Sequence, residues 1–179
     1  MATTLTDEAE QFLASPLLSG ADDRSRRAVF RRLIEGRAPA RTPLLTQGRP
    51  NDRLWFILGG SVVIERKQPD GRVDTLATLT GPAILGTTTF FRSSAPSATI
   101  RASTDLTLWT LDRAAHEQLS LEDPRAAEGL ALEVVRVLSE RFDLLDVRLG
   151  ELMAGHDDDH PRSNEWADFR SRLFVEPAL

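Results

Sequence analysis

The chain contains no cysteine, which removes disulfides, thiol nucleophiles and cysteine metal sites together. No apolar run is long enough to cross a bilayer, and the opening MATTLTDEAE lacks the basic-then-apolar order of a secretory signal. A cytoplasmic location without membrane attachment is the simplest expectation. No Walker loop and no GxSxG elbow occurs. A positive balance is missing too. The net charge is −5, so the chain as a whole is not drawn to nucleic acid. Histidines are few, three in all. His116, in AAHEQL, is expected on the exposed polar face of a helix. HDDDH at 156–160 has ligand types for a divalent ion, but a solvated acidic linker is the favoured reading. With no nucleophile–base pair, acid pair or metal site in view, neither catalysis nor a cofactor is expected.

What is present fits a globular protein of one ordinary domain plus an appendage: 179 residues, 41% hydrophobic and 27% charged. The one basic cluster, RSRRAVFRRLIEGR, carries Arg24, Arg26, Arg27, Arg31, Arg32 and Arg37. Val29, Phe30, Leu33 and Ile34 within it sit at helical spacing, so the arginines read as the wet face of an amphipathic helix. Residues 7–36 thus form two short helices around SPLLSGADD, where Ser15, Gly20, Asp22 and Asp23 supply stop and cap chemistry.

From Pro39 the period changes. TPLLTQG, RLWFILGGSVVIERK, RVDTLATLTG, SATIRAST and LTLWTLD are short, rich in Val, Ile, Leu, Thr and Trp, and separated by turn residues. PDG at 69–71 predicts a hairpin turn between Val62–Ile64 and Val73–Thr75. Many short strands without intervening helices indicate a compact antiparallel barrel or roll. After Asp112, RAAHEQLSLED reads as a short helix, and Pro124 starts a long one. Along it Val135, Leu138, Phe142, Leu145, Leu149 and Leu152 recur at alternating spacings of three and four. That seam predicts a two-stranded coiled coil, hence a homodimer, in preference to a helix docked only on its own domain. From Gly155 a polar linker leads to EWADFRSRLFVEP, whose Trp166, Phe169, Leu173 and Phe174 would share one helical face and need somewhere to dock.

PLLTQGRPNDRLWFILGGSVVIER and PSATIRAST, in this order of elements, resemble the cyclic nucleotide-binding domain family. Gly48, Asp52 and Gly60 fall where that family's turns need them, and Trp55 stands for its usual tyrosine. The similarity runs from about Phe12 to Leu152. It implies an α+β fold: an antiparallel, jelly-roll-like β-roll flanked by N-terminal helices and a long C-terminal helix. Three regions follow: residues 1–123 for the roll and its helices, 124–154 for the dimerisation helix, and 155–179 for linker and tail.

The resemblance also implies a phosphate-binding cassette, which reads Phe-Gly-Glu-Leu-Ala-Leu, a spacer, then Arg-Ala/Ser-Ala. Its glutamate takes a ribose hydroxyl and its arginine the cyclic phosphate. Here the candidate positions are Gly86, Thr87, Thr88, Thr89, Pro96, Ser97 and Ala98. Gly86 keeps the turn, Thr87 occupies the glutamate position and Pro96 the arginine position. Both charged contacts are absent, so binding of cyclic AMP is doubtful. Arg92 or Arg101 could face an anion, but solvated or paired arginines are favoured, and the threonines are expected to cap the turn. Phe90 or Phe91 is expected to pack inward. The 27 residues after Leu152 are too few for the family's helix-turn-helix, so DNA binding of that type is not expected. The expectation is a regulatory, protein-interaction module with a protein partner; a nucleotide or other anion sensor is the alternative.

Overall fold

The computed structural model describes residues 7–154. Helix α1 (Asp7–Ala14), a 3-10 turn (Pro16–Leu18) and α2 (Asp23–Phe30) open the chain. Ser15 and Asp22 act as N-caps: their side chains accept the backbone N–H groups of Leu17 and Ser25. The arginine-bearing helix stops earlier than its apolar spacing implies. Leu33 follows its end, and Ile34 and Arg37 lie in β1 (Ile34–Ala38). There the ladder with the strand Leu106–Asp112 competes successfully with helical periodicity, pairing Ile34 with Thr110 and Ala38 with Leu106. The arginines mainly stitch helices together. Arg26 donates to the carbonyls of Leu13 and Ser15, Arg24 approaches Asp123, and Arg32 reaches Gln118 and Glu122.

The following strands are β2 (Pro43–Leu45), β3 (Arg53–Gly59), β4 (Ser61–Lys67), β5 (Val73–Thr80) and β6 (Ala83–Leu85). A one-turn helix α3 (Thr87–Phe90) precedes β7 (Thr99–Ala102) and β8 (Leu106–Asp112). Two four-stranded antiparallel sheets result, ordered β1-β8-β3-β6 and β2-β7-β4-β5. The expected hairpin joins β4 to β5, with Gly71 at φ 89° in its turn. At Gly60, φ is 90° and a Cβ would stand 2.4 Å from the Asp105 carbonyl, so the sharp bend between β3 and β4 excludes a side chain.

Two apolar cores follow from the strand alternation. Ala38, Leu45, Ile57, Val62, Leu85, Ala102, Leu106 and Leu108 fill the space between the sheets. The opposite face of the first sheet presents Leu54, Phe56, Ile84, Trp109 and Leu111 to the helices. There Phe12, Phe30, Phe56 and Trp109 form an aromatic cluster with centroids 4.8 to 6.1 Å apart. Helix α4 (Arg113–Glu122) starts at the Asp112 cap, and α5 (Pro124–Ala154) follows directly.

The chain divides into two compact units, one ending at Leu138 and the other starting at Ser139. Ala126, Ala127, Leu130 and Val134 of α5 belong to the helix-side core of the first unit. Leu138 packs against the same core, one turn after Val134. It is half-buried there.

Candidate functional site: a cassette frame

The frame begins where β6 ends. Gly86 has φ 82° and caps α3, and a Cβ there would lie 2.5 Å from the Arg53 carbonyl oxygen. Only glycine fits both the backbone conformation and the approach. Asn51 clasps this corner. Its Nδ2 donates to the Arg53 carbonyl at 2.7 Å and to Thr89 Oγ1 at 3.0 Å. Thr89 Oγ1 in turn donates to the Gly86 carbonyl at 3.2 Å. Thr87 and Thr89 are buried, whereas Thr88 is exposed. Thr89 thus closes the turn as expected, and Thr88 alone presents a hydroxyl outward.

Phe90 does pack inward, fully buried, but it enters the core between the first sheet and the helices. Arg113 donates to the Phe90 carbonyl, and its guanidinium lies 5.2 Å from the Phe90 ring centroid. His116 meets both phenylalanines edge-on, at 5.5 Å from Phe90 and 5.4 Å from Phe91. The exposed position expected for it is therefore wrong: α3 sits beside α4 and half-buries the ring. Burial, with Arg113 adding to it, holds the His116 pKa below its ordinary 6.5.

The second half of the frame holds Pro96, Ser97 and Ala98. Pro96 is buried, and its carbonyl accepts the Gly48 N–H at 2.9 Å. Ser97 is exposed and Ala98 half-buried. The geometry is that of a tight turn and a return strand, with no cation at position 96.

A family model described as cyclic nucleotide-binding domain matches residues 35–123. The roll belongs to the cyclic nucleotide-binding domain family. The chain is 27% identical over 138 residues to the CRP-like cAMP-activated global transcriptional regulator of Mycobacterium tuberculosis, covering 76% of this chain and 59% of that protein. It thus spans about three-fifths of the length of the curated relatives it matches. A cyclic nucleotide-binding domain from Methylobacillus flagellatus shares the fold with a TM-score of 0.72 at 24% identity, over 83% of this chain and 85% of that one. The Thermus thermophilus catabolite activator protein gives 0.61 at 26% identity, over 78% and 65%.

Within this cyclic nucleotide-binding roll, the arginines divide by sheet face. Val62 and Ile64 of β4 pair with Ala102 and Ile100 of β7; Val62, Ala102 and Ile100 belong to the inter-sheet core, and Ile64 shares their face by alternation. By alternation Arg66 continues that face. Its Nε donates to the Ser97 carbonyl at 3.3 Å, and the residue is exposed. Arg101 lies on the other face, where it donates to the Arg41 carbonyl and pairs with Glu65 at 3.6 Å. Arg92 is exposed. Arg66 was not among the residues singled out from sequence. Alternation along SVVIERK assigns it to the same face as Val62 only once the pairing with β7 is known.

Of the predicted seam, Val135, Phe142 and Leu145 are 56%, 41% and 65% exposed, unusual values for large apolar residues. Leu149 and Leu152 continue the spacing along α5, but their side chains lie outside the described set. The tail residues Trp166, Phe169, Leu173 and Phe174, and the HDDDH run, also lie outside the described residues. No helix among the described residues is long and apolar enough to cross a membrane.

Proposed function

We propose that this cyclic nucleotide-binding roll is a non-catalytic regulatory module that has lost tight recognition of cyclic AMP and cyclic GMP and works through protein contacts. The carrying observation is Pro96. It fills the arginine position with a buried ring, lacks an N–H, and commits its carbonyl to Gly48. Thr87, at the glutamate position, is buried as well. Hydrogen bonds to charged groups contribute about 1.5–3 kcal/mol each, so losing two costs roughly 3–6 kcal/mol. That corresponds to about a hundredfold to ten-thousandfold or more in affinity.

The output of the module is a homodimer formed along α5, presented to a protein partner. Three large apolar side chains exposed at seam spacing on one helix support this. Replacing Leu145 with Asp should leave a monomer at low micromolar concentration in sedimentation velocity; a persistent dimer would sink the seam.

Calorimetry with cyclic AMP, cyclic GMP and cyclic di-GMP tests the loss of binding. No saturable binding tighter than about 10 µM is expected. A second reading, as a sensor of a phosphate-bearing anion, is favoured by one observation: Arg66 stands beside Ser97 without a carboxylate partner among the described residues. Binding below that threshold, abolished by Ser97→Val, Thr88→Val or Arg66→Met, would establish the sensor and overturn the first reading.

A further inference from the structure

The row of side chains that crosses the first sheet at Trp55 opens onto a cleft set apart from the cassette frame. Ile34, Thr110 and Trp55 stand side by side across β1, β8 and β3, and Gly36, Leu108 and Ile57 form the next row on the same face. Leu108 and Ile57 belong to the inter-sheet core, so this face is the one turned toward the second sheet. Pro43 and Leu44 of β2 line the cleft from the other side, and its volume is about 300 Å³. That is the low end of the range for small-molecule sites. Gly36 keeps it open: a Cβ there would stand 3.1 Å from Leu108 Cδ1, and a larger side chain would enter the space. None of the cassette residues from Gly86 to Ala98 lines it.

Trp55 carries the argument from cleft to ligand. Its Nε1 is shielded from solvent and has no hydrogen-bond partner among the described residues. A buried donor left unpaired is rare and calls for an explanation. Trp109 Nε1 is unpaired too, but Trp109 stands in the packed aromatic cluster, whereas Trp55 borders open space. An indole N–H only donates, so whatever meets it brings an acceptor. Thr110, 7% exposed, adds a hydroxyl beside Trp55. The neighbouring surface, Ile34, Pro43, Leu44 and Leu108, is apolar. Arg53 also lines the cleft, two residues before Trp55 and on its face by alternation. Its 3.7 Å approach to Asp52 joins two exposed groups, a pairing of little worth that exchanges readily. Glu35 and Arg37, one charge of each sign, alternate to the opposite face of β1. We propose that this cleft binds a small apolar carboxylate. Its hydrocarbon part lies against Ile34, Leu44 and Leu108, and its carboxylate accepts the Trp55 indole N–H and pairs with Arg53. The site does not depend on the proposed loss of cyclic nucleotide recognition.

The chain has three tryptophans, so nitrogen-15 labelling of the full-length protein gives three indole signals, and Trp55→Phe identifies that of Trp55. Octanoate and 3-phenylpropanoate are the probes. Each should move the Trp55 indole proton downfield and saturably, with a Kd below about 1 mM, and leave the Trp109 signal in place. The matching amides keep the apolar part and an acceptor but lose the charge, and should bind about tenfold more weakly. Arg53→Gln should weaken the acids about tenfold and leave the amides unchanged. Gly36→Val suits a strand and fills the cleft, so it should abolish binding of both, with thermal unfolding reporting that the fold stands. Arg53→Gln, at an exposed residue, keeps the test open if Gly36→Val does not fold. Four results would overturn the proposal. Neither acid moves the Trp55 signal; both acids still bind to folded Gly36→Val; the amides bind as tightly as the acids; or binding is lost in Ser97→Val and kept in Gly36→Val, which would place the acids in the cassette frame.

Discussion

Glu133 offers the sharpest test of how the N-terminal segment is tied to the long helix. Its side chain is fully buried on α5, and one oxygen accepts the Gly20 backbone N–H at 3.0 Å across 113 residues of sequence. The other oxygen accepts from Arg136 one turn along, with Nε at 3.1 Å. Arg136 remains 42% exposed, so its ion pair is screened and contributes modestly. The bond to Gly20 is different, because it ties a fully buried carboxylate to a segment far away in sequence. Replacing Glu133 with Ala removes one charge-assisted hydrogen bond, about 1.5–3 kcal/mol, and leaves a small cavity. A total loss of about 2–4 kcal/mol is expected, or roughly 4–16 °C in Tm for a chain of this size. Glu133→Gln keeps an acceptor for Gly20 and gives up only the charge assistance, so it should cost about 1–1.5 kcal/mol. Denaturant unfolding of the full chain measures both. If Ala costs less than about 0.5 kcal/mol, or if Gln is as damaging as Ala, the clasp is not formed as described.

Three further outcomes are expected. His116 holds its neutral form in the fold because burial lowers its pKa from 6.5. As pH falls through 6.5 the unfolded chain takes up the proton first, so the contribution of neutral His116 to stability is lost below that value. The drop in Tm between about pH 8 and pH 5 should shrink in His116→Phe; an unchanged slope would remove His116 as its source. Gly86→Ala must hold φ near 82° with a Cβ 2.5 Å from the Arg53 carbonyl, and should cost at least about 1–3 kcal/mol in thermal unfolding. Pro96→Arg restores one charged contact and should raise affinity for cyclic AMP roughly 10- to 150-fold by calorimetry, and no gain would mean that the frame itself has closed.

Much of the roll was legible because its strands advertise themselves. Val, Ile, Thr and Trp alternate across β3, β4 and β8, and Gly60, Gly71 and Gly86 mark corners that only glycine turns easily. The parts that were not legible share a cause: their partners lie far away in sequence. IEGRA contains a glycine and two charges, so nothing local predicts a strand, and β1 exists because β8 pairs with it. AIL of β6 is three residues long and is held by β3. Leu138 fits a heptad, and its contact with the core beneath Val134 could not be read from that spacing. Glu133 has the composition of a surface residue in a helix, and only the approach of Gly20 makes it interior. At the candidate site the glycine corner at Gly86 could be expected in advance, whereas the face of Arg66 needed the β4–β7 register.

The asymmetry between frame and charges has a physical reason. Gly86, Asn51, Thr89 and Phe90 hold one another through backbone contacts, hydrogen bonds and burial, so changing any of them is a cost to folding. A ligand-directed charge at position 87 or 96 has no such ties. It faces the ligand, and without one it is at best neutral to stability and at worst a like-charge or desolvation penalty. Under the proposed loss of recognition, buried Thr87 and buried Pro96 are what the fold tolerates or prefers. A proline at 96 also restricts the unfolded chain, which tends to stabilise the fold at a position whose N–H is not needed. On this argument the two substitutions should stabilise the roll relative to their charged counterparts, so Pro96→Arg should bind better and melt lower. A variant that bound better and also melted higher would mean that the proline was not retained for the fold.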